Sequence, residues 1–465
     1  MSDSLTRRDF VAAALASGAA VSTLGSGSAS AQETSSAAAR AAGVPGHERP
    51  NVLFILADDL GYGDLSCYGR PDYKTPVLDR LATQGLKFTS NYAAAPVCTP
   101  TRCGFITGRY PQRLAVGLEE PLTSRSPEVG LPPGHATIGT QLRAAGYATA
   151  LIGKWHLGWR PEFNPVRHGF DEFFGVLSGA VDYFTHAAAD RATTANGAPG
   201  PDLWENETRV ERNGYLTDVL TDRAIDYLSR KHDKPFFLSL QYTAPHSPWE
   251  GPADAGLDHT DHGPGPMSAG GSPAAYAAIM QSLDSNIGRV LAALKRAGLE
   301  RNTLVVFTSD NGGERYSYNW PFSGEKFGLR EGGTRVPAIA RWPGVTPANT
   351  VTDQPAITMD WTATILAVAG ATQDPAYPLD GVTLVPTLRG DRAVHERALF
   401  WRTRTSGAAR IGQWKYLRDA AGEHLFDLGV DPGEKAEAKA KHADELARVK
   451  GRYDEWAAEM LPVPS

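Results

Sequence analysis

Four runs along the chain are apolar without polar alternation: Asn51–Leu56, Tyr147–Gly153, Pro235–Tyr242 and Thr303–Ser309. Each has strand length and reads as a strand buried on both faces, as in a parallel sheet. Between them the period becomes helical. Thr75–Gly85 sets Val77, Leu78 and Leu81 against Asp79 and Arg80, and Ile138–Ala145 is closed by Gly146. Tyr215–Lys231 places Leu216, Val219, Leu220, Ala224, Tyr227 and Leu228 at helical spacing, and Pro273–Arg296 is a long helix. Strands alternating with helices predict an α/β fold with a large mixed, mostly parallel sheet flanked by helices. After about Asp374 the pattern changes. Ala398–Arg402, Ala409–Leu417 and His424–Leu428 are short strand-like pieces, and Ala438–Met460 is an amphipathic helix. The expected organisation is a main α/β domain over 49–373 and a smaller C-terminal subdomain over 374–465, an antiparallel sheet with one closing helix.

Polar residues gather where the buried strands end: Asp58-Asp59, Lys154-Trp155-His156, Pro245-His246-Ser247 and Asp310-Asn311. Ligands of open α/β sheets bind at those carboxyl ends. Two adjacent aspartates exceed what a turn or a helix cap uses. Lys154 and His156, two apart, point to the same side of an extended backbone. His246, between two prolines, is held rigidly. Lys326 follows, ahead of Glu331-Gly332-Gly333. Asn164–Gly200 is irregular and rich in aromatics, and is expected to pack over the sheet end. Asp254–Pro273, rich in Gly, Pro and His, reads as a mobile loop in which His259 and His262 are solvated rather than ligands.

Cys98 stands just before a predicted helix. Thr99 suits the N-cap, Pro100 the first helical position, and Gly108 the stop. Cys98 then meets the positive end of the helix dipole, with Arg102 one turn away. By itself that fits a buried structural cysteine as well as a nucleophile that handles an anion.

Composition narrows the classes. The 465 residues are 42% hydrophobic and 21% charged, enough for a large core, and a net charge of −6 gives no reason to expect nucleic acid as a partner. Three cysteines make no disulfide framework, and their spacing is not that of a metal site. Thr6-Arg7-Arg8-Asp9-Phe10, a mildly apolar run from Val11 to Leu24, and Ala29-Ser30-Ala31 read as a twin-arginine signal peptide over 1–31, followed by a flexible leader over 32–48. The run is too short, and too rich in Gly and Ser, for a stable membrane anchor. The expected location is periplasmic or secreted, after export in the folded state.

Asp58, Asp59, Asp310 and Asn311 make a hard, oxygen-only donor set that suits Ca²⁺ or Mg²⁺ and not zinc. Lysines and an arginine beside a dication make sense when an anion bridges them, and a tetrahedral oxyanion, sulfate or phosphate, fits.

With these residues in place the chain resembles the type I sulfatases of the alkaline phosphatase superfamily, from about Arg49 to the C-terminus. The resemblance rests on Pro50-Asn51-Val52 through Asp58-Asp59-Leu60-Gly61, and on Cys98-Thr99-Pro100-Thr101-Arg102 with Thr107-Gly108. It continues in Gly153-Lys154-Trp155-His156-Leu157-Gly158, Pro245-His246, Ser309-Asp310-Asn311-Gly312-Gly313, and Lys326 ahead of Glu331-Gly332-Gly333. Thr101 and Phe105 depart from the family's commoner Ser and Leu but keep the character of each position. The resemblance implies that a formylglycine-generating enzyme oxidises Cys98 to formylglycine before export. It implies Ca²⁺, ahead of Mg²⁺, on Asp58, Asp59, Asp310, Asn311 and an oxygen of modified residue 98. It further implies that Arg102 supports the nucleophile and that Lys154 and Lys326 neutralise sulfate. His246 would then protonate the leaving alcohol, and His156 would assist return of the hydrate to aldehyde.

The expected activity is hydrolysis of sulfate monoesters. Alternatives are a phosphonate or phosphate ester hydrolase of the same superfamily, a non-catalytic exported binding protein on the same fold, and a cysteine hydrolase with a free thiol at Cys98. Aryl sulfates and sulfated sugars are both candidate substrates. The loops Gly175–Thr208 and Asp254–Pro273 are expected to decide between them. Arg125, Arg160 and Arg191 read as surface residues rather than sugar contacts.

Overall fold

The computed structural model describes residues 49–123, 125–188, 201–256, 271–391 and 393–464. The signal and leader, Arg191, His259 and His262 lie outside the described residues. Among those described, ten strands form one sheet. They are β1 (Asn51–Ala57), β2 (Leu86–Phe88), β3 (Ala148–Lys154), β4 (Glu172–Val176), β5 (Trp204–Glu205), β6 (Thr208–Arg209), β7 (Phe236–Gln241), β8 (Thr303–Ser309), β9 (Ala338–Arg341) and β10 (Thr350–Thr352). Their order is β10-β2-β9-β8-β1-β7-β3-β4-β5-β6. The central strands β8, β1, β7, β3 and β4 are all parallel, while β9 and β5 join antiparallel to either side.

The sheet is a filling between two helical layers, which is why its strands carry no polar face. Leu53 and Ile55 of β1 enter a core built with α1 (Pro76–Thr83), α4 (Leu216–Ser229) and α5 (Pro273–Arg296). Val52, Phe54 and Leu56 enter the opposite core, built with α2 (Cys98–Thr107), α3 (Ile138–Ala144) and α6 (Thr358–Ala369). Phe54 and Phe105 of α2 stack at 4.1 Å between ring centroids, so the sheet's central strand seats the Cys98 helix directly.

The C-terminal sheet is antiparallel in chain order: β11 (Ala398–Arg402), β12 (Gly407–Ile411), β13 (Trp414–Asp419) and β14 (Gly422–Asp427). It is closed by α7 (Ala443–Ala458), which buries Val449, Tyr453 and Trp456. Its core is continuous with Tyr92, Ala94, Ile357 and Met359, and the Trp401 indole donates to the Ala93 carbonyl at 2.8 Å. No helix among the described residues is long and apolar enough to cross a membrane.

Several local expectations are corrected. Ala409–Leu417 is not one strand: Gly412, at φ 61°, turns the chain and makes it parts of β12 and β13. Within Asn164–Gly200, Glu172–Val176 is a buried strand of the main sheet. The last helix begins at Ala443 rather than Ala438. Helix α6 had no amphipathic signal because it is buried almost all round. Helix α2 begins at Cys98 with Val97 as N-cap, so neither Thr99 nor Pro100 stands where a side-chain cap would put it. Thr101 instead closes the preceding loop, accepting from the Ala95 N–H at 3.0 Å and donating to the Ala95 carbonyl at 2.9 Å.

Candidate active site

The four strands whose ends carry the polar residues are neighbours in the order β8-β1-β7-β3, so their carboxyl ends open on one edge. The ladder runs past the strands themselves. The Asp310 N–H bonds the Ala57 carbonyl, and the Asp58 N–H bonds the Ala244 carbonyl, both at 3.1 Å. Asp58 and Asp310 are thereby fixed by backbone before any side-chain contact forms. Asp59 then turns into the left-handed region, at φ 63°, and its N–H donates to Asp310 Oδ1 at 3.1 Å. Such backbone conformations in non-glycine residues recur at functional sites.

Each carboxylate has a cationic partner. Lys154 donates to Asp58 Oδ2 at 2.6 Å, and Lys326 donates to Asp59 Oδ2 at 2.6 Å. Arg102 grips Asp310 Oδ2 from Nε at 3.0 Å and Nη2 at 2.8 Å. The Asn311 amide donates to Asp59 Oδ1 at 2.7 Å. Asp58, Asp310, Asn311, Arg102 and Lys154 are completely buried. Burial and the Asp58 charge push Asp310 up to about 7. Burial acts on Asp59 too, but Lys326 and His246 outweigh it and hold its carboxyl far below the usual range.

Arg102 makes no hydrogen bond to Cys98, although its charge interacts with the Cys98 thiol. Its remaining donor reaches the Lys154 carbonyl at 2.9 Å and Gln241 Oε1 at 2.7 Å, so it braces the acids and the ends of β3 and β7. Cys98 itself is buried. Burial raises its thiol to about 11, although Lys154 and Lys326 pull the other way. A thiol so weakly acidic is a poor thiolate nucleophile at neutral pH.

The histidines occupy distinct settings. Position 156 is not extended: φ is 58°, so Lys154 and His156 do not share a face, as an unbroken strand would require. His156 Nε2 donates to the Leu122 carbonyl at 2.9 Å, and its buried Nδ1 has no hydrogen-bond partner. A Cβ at position 179 would lie 2.4 Å from this imidazole, so glycine is needed there. Burial and Lys154 hold His156 neutral. His246 Nδ1 donates to the Ser247 carbonyl at 2.5 Å, which leaves Nε2 facing Lys326 Nζ at 3.3 Å and Asp59 Oδ2 at 3.4 Å. Burial and the Lys326 ammonium bring His246 down to about 3.

Two side-chain oxygens in this buried cluster accept no hydrogen bond: Asp58 Oδ1, with Arg102 Nη2 only at 3.7 Å, and Asn311 Oδ1. Unpartnered buried oxygens are costly unless something fills them. Together with Asp59 and Asp310 they offer the hard donors that Ca²⁺ or Mg²⁺ takes, so the residues present fit a dication. Asp58, Asp59 and His246 also bring potential ligand atoms within 4.8 Å of one another.

Sequence reasoning did not reach several participants. Leu122 bridges two site segments through its backbone: its N–H bonds Thr99 Oγ1 at 3.0 Å and its carbonyl receives His156. Gln241 ends β7 as one more polar residue in an apolar run, a signal that was available. Glu314 Oε1 lies 3.6 Å from Lys326 Nζ, three residues beyond Asn311. Arg160 pairs with Glu128 and Glu162 at the surface, away from this cluster.

A sheet of this order with metal-type acids, lysines and histidines at one edge suits hydrolysis of an oxyanion ester, and the comparisons with known proteins specify the class. The sulfatase family model matches residues 50–371. The chain is 34% identical over 405 residues to arylsulfatase J of Mus musculus, covering 81% of this chain and 65% of that protein's length. It is 32% identical over 431 residues to N-acetylgalactosamine-6-sulfatase of Canis lupus familiaris, covering 88% of this chain and 80% of that one. The crystal structure of Ps i-CgsB in complex with k-i-k-neocarrahexaose matches with a TM-score of 0.80 at 30% identity, covering 90% of this chain and 94% of that one. The chain belongs to the sulfatase family and is a sulfuric ester hydrolase.

Proposed function

We propose that this enzyme hydrolyses sulfate monoesters of carbohydrates, using a formylglycine made from Cys98 and a Ca²⁺ ion held by Asp58, Asp59, Asp310 and Asn311, with an oxygen of modified residue 98 completing the set. The observation that carries the reading is the pair of unpartnered buried oxygens, Asp58 Oδ1 and Asn311 Oδ1, beside two lysines whose ammonium groups have only carboxylates to neutralise. When bound, the dication supplies positive charge beside the sulfate, and the formylglycine hydrate supplies a geminal diol as nucleophile.

The chain's own residues do the rest. Lys154 and Lys326 turn from Asp58 and Asp59 toward the sulfate oxygens and neutralise charge as the S–O bond lengthens. Burial and the Lys326 ammonium hold His246 low; the negative sulfate offsets the ammonium, so a proton on Nε2 is better stabilised once substrate is in place. From there it passes to the leaving alcohol oxygen. His156, with Nε2–H committed to Leu122, offers Nδ1 as the acceptor for a proton on the nucleophile side. Arg102 is a positioning residue in this scheme, because it holds Asp310 and the strand ends.

The carbohydrate assignment draws on N-acetylgalactosamine-6-sulfatase and on the oligosaccharide-bound Ps i-CgsB. The signal at 1–31 supports export by the twin-arginine route after modification of Cys98. Replacing Arg7 and Arg8 by lysine should retain the protein in the cytoplasm.

The test is peptide mass analysis spanning residues 98 to 102, paired with rates on matched aryl sulfate and aryl phosphate esters. Oxygen in place of sulfur at residue 98 and a dominant sulfate rate are expected. An unmodified thiol in active protein, or a dominant phosphate rate, overturns the proposal.

A further inference from the structure

The segment around Lys326 contains a side chain that packing does not explain. Phe327 is 52% exposed, whereas the neighbouring Lys326 side chain is 1% exposed. Its backbone lies at φ 71°, a conformation that suits glycine or asparagine and that a bulky aromatic rarely adopts. The surroundings hold it there: the Phe327 N–H bonds the Pro96 carbonyl at 2.8 Å, two residues ahead of Cys98, and the Gly328 N–H bonds the Glu325 carbonyl at 3.0 Å. An exposed aromatic ring on a strained backbone gains nothing for the core. The arrangement does keep the ring 5.2 Å from the Lys326 ammonium.

A second group meets the same ammonium. Glu314 Oε1 is 3.6 Å from Lys326 Nζ, and the Glu314 side chain is 24% exposed. Lys326 is therefore flanked at its solvent end by an apolar ring and a carboxylate. The neighbouring rim is aromatic and firm, with the Arg315 guanidinium over Trp249 and Tyr316 at 5.4 and 5.1 Å.

The geometry points to Phe327 and Glu314 as the specificity-determining pair for the ring that carries the scissile sulfate, an inference that rests on Lys326 facing that sulfate. The Phe327 face takes the apolar C–H face of a pyranose, and Glu314 accepts a hydrogen bond from a hydroxyl on the same ring. Burial raises Glu314 to about 7, and above that pH its charge also sets a limit. A second sulfate or carboxylate on the substrate at this point is repelled, so the preferred class is a monosulfated pyranose with a free hydroxyl near the sulfate.

The experiment measures kcat and KM for wild type, Phe327→Ala, Phe327→Trp, Phe327→Asn and Glu314→Gln, all with formylglycine confirmed at residue 98. Substrates are 4-nitrophenyl sulfate, the best-hydrolysed isomer from a panel of galactose monosulfates, and the same sugar disulfated. Phe327→Ala should raise the sugar KM at least 10-fold with kcat within about 3-fold, and Phe327→Trp should restore it. Phe327→Asn should raise the melting temperature, by relieving the backbone, while still raising the sugar KM. Glu314→Gln should raise the monosulfate KM and narrow the preference over the disulfated sugar. Sugar KM values within 2-fold of wild type for both Phe327→Ala and Glu314→Gln overturn the inference. So do equal kcat losses on aryl and sugar substrates, which would mark a structural disturbance of Lys326. Wild-type enzyme that releases sulfate from 4-nitrophenyl sulfate but from none of the sugars overturns the carbohydrate assignment, and this inference with it.

Discussion

The protein buries two clusters of opposite charges, and they are built to different ends. At the sheet edge, Asp58, Asp59 and Asp310 meet Lys154, Lys326 and Arg102. Where the C-terminal sheet meets the segment after Lys326, Glu331 and Glu434 meet Lys415 of β13. In the second cluster every oxygen of Glu331 is taken. Oε1 receives Lys415 at 2.8 Å, and Oε2 receives the Tyr92 hydroxyl at 2.6 Å and Arg335 at 3.1 Å. Glu434 Oε2 accepts the Glu331 N–H at 2.7 Å, while its Oε1 has no hydrogen bond but lies 2.9 Å from the Lys415 ammonium. The first cluster leaves Asp58 Oδ1 and Asn311 Oδ1 without donors. In both clusters one carboxyl is held low by its cations, Asp59 and Glu331, and a neighbour is raised by burial and by a nearby acid, Asp310 and Glu434. Burial works against the charge of Glu331, but Lys415 and Arg335 prevail and hold it at about 2. Burial and a neighbouring acid push Asp310 up to about 7. A cluster whose every carboxylate oxygen has a donor or a cation within about 3 Å fixes structure; one that leaves Asp58 Oδ1 with its cation only at 3.7 Å is arranged for ligands that arrive later.

The largest effect expected is at the open cluster. Cys98→Ser should release no more than one alcohol per enzyme molecule and no free sulfate, because the sulfate stays on the serine as an ester that lacks the diol's exit; sustained turnover would refute the diol route. Asp310→Asn should lower kcat/KM by about 10²–10³-fold or more, through loss of a charged ligand and of the Arg102 brace. Its melting temperature should move much less than its activity.

The closed cluster should respond the other way. Lys415→Met strands two buried carboxylates and should cost about 3–5 kcal/mol of stability by denaturant titration, with kcat per folded molecule far less affected than in Asp310→Asn. A stability loss under ~1 kcal/mol would erase the distinction between the clusters.

Calcium provides a smaller and cleaner contrast. At 100 times its Kd it should stabilise the wild type by about 2.7 kcal/mol, read as a rise in melting temperature that EDTA reverses. The same rise should persist in Lys415→Met and vanish in Asp310→Asn.

The least effect is the acid limb. Glu331 is depressed from 4.5 to about 2, so its contribution is complete above pH 4.5 and lost as pH falls toward 2. Lys415→Met removes a cation that depresses it, so that variant should lose stability at higher pH than wild type. Superimposable acid unfolding curves would contradict the assignment.

The apolar runs and the polar residues at their ends were legible along the chain, because strands buried on both faces carry no polar positions and any that appear at their termini stand out. Thr303–Ser309 and Pro273–Arg296 were read to the residue. Helix α6 and the short strands β2 and β9 were not, since a helix buried all round has no period and three or four residues hold too little pattern. The same limit hid the turn at Gly412 inside a continuous strand-like run.

The sequence by itself determined the fold class, the sulfatase resemblance and the residue types gathered at four strand ends. These follow from local periodicity and from short motifs whose chemistry does not depend on distant contacts. Only the tertiary structure decided how each side chain is used. Arg102 grips Asp310, His156 turns to Leu122, and Lys415 reaches from the C-terminal sheet to Glu331. Partners separated by tens or hundreds of residues meet only when the strands pair in order. No local pattern encodes which oxygen is left open once they do.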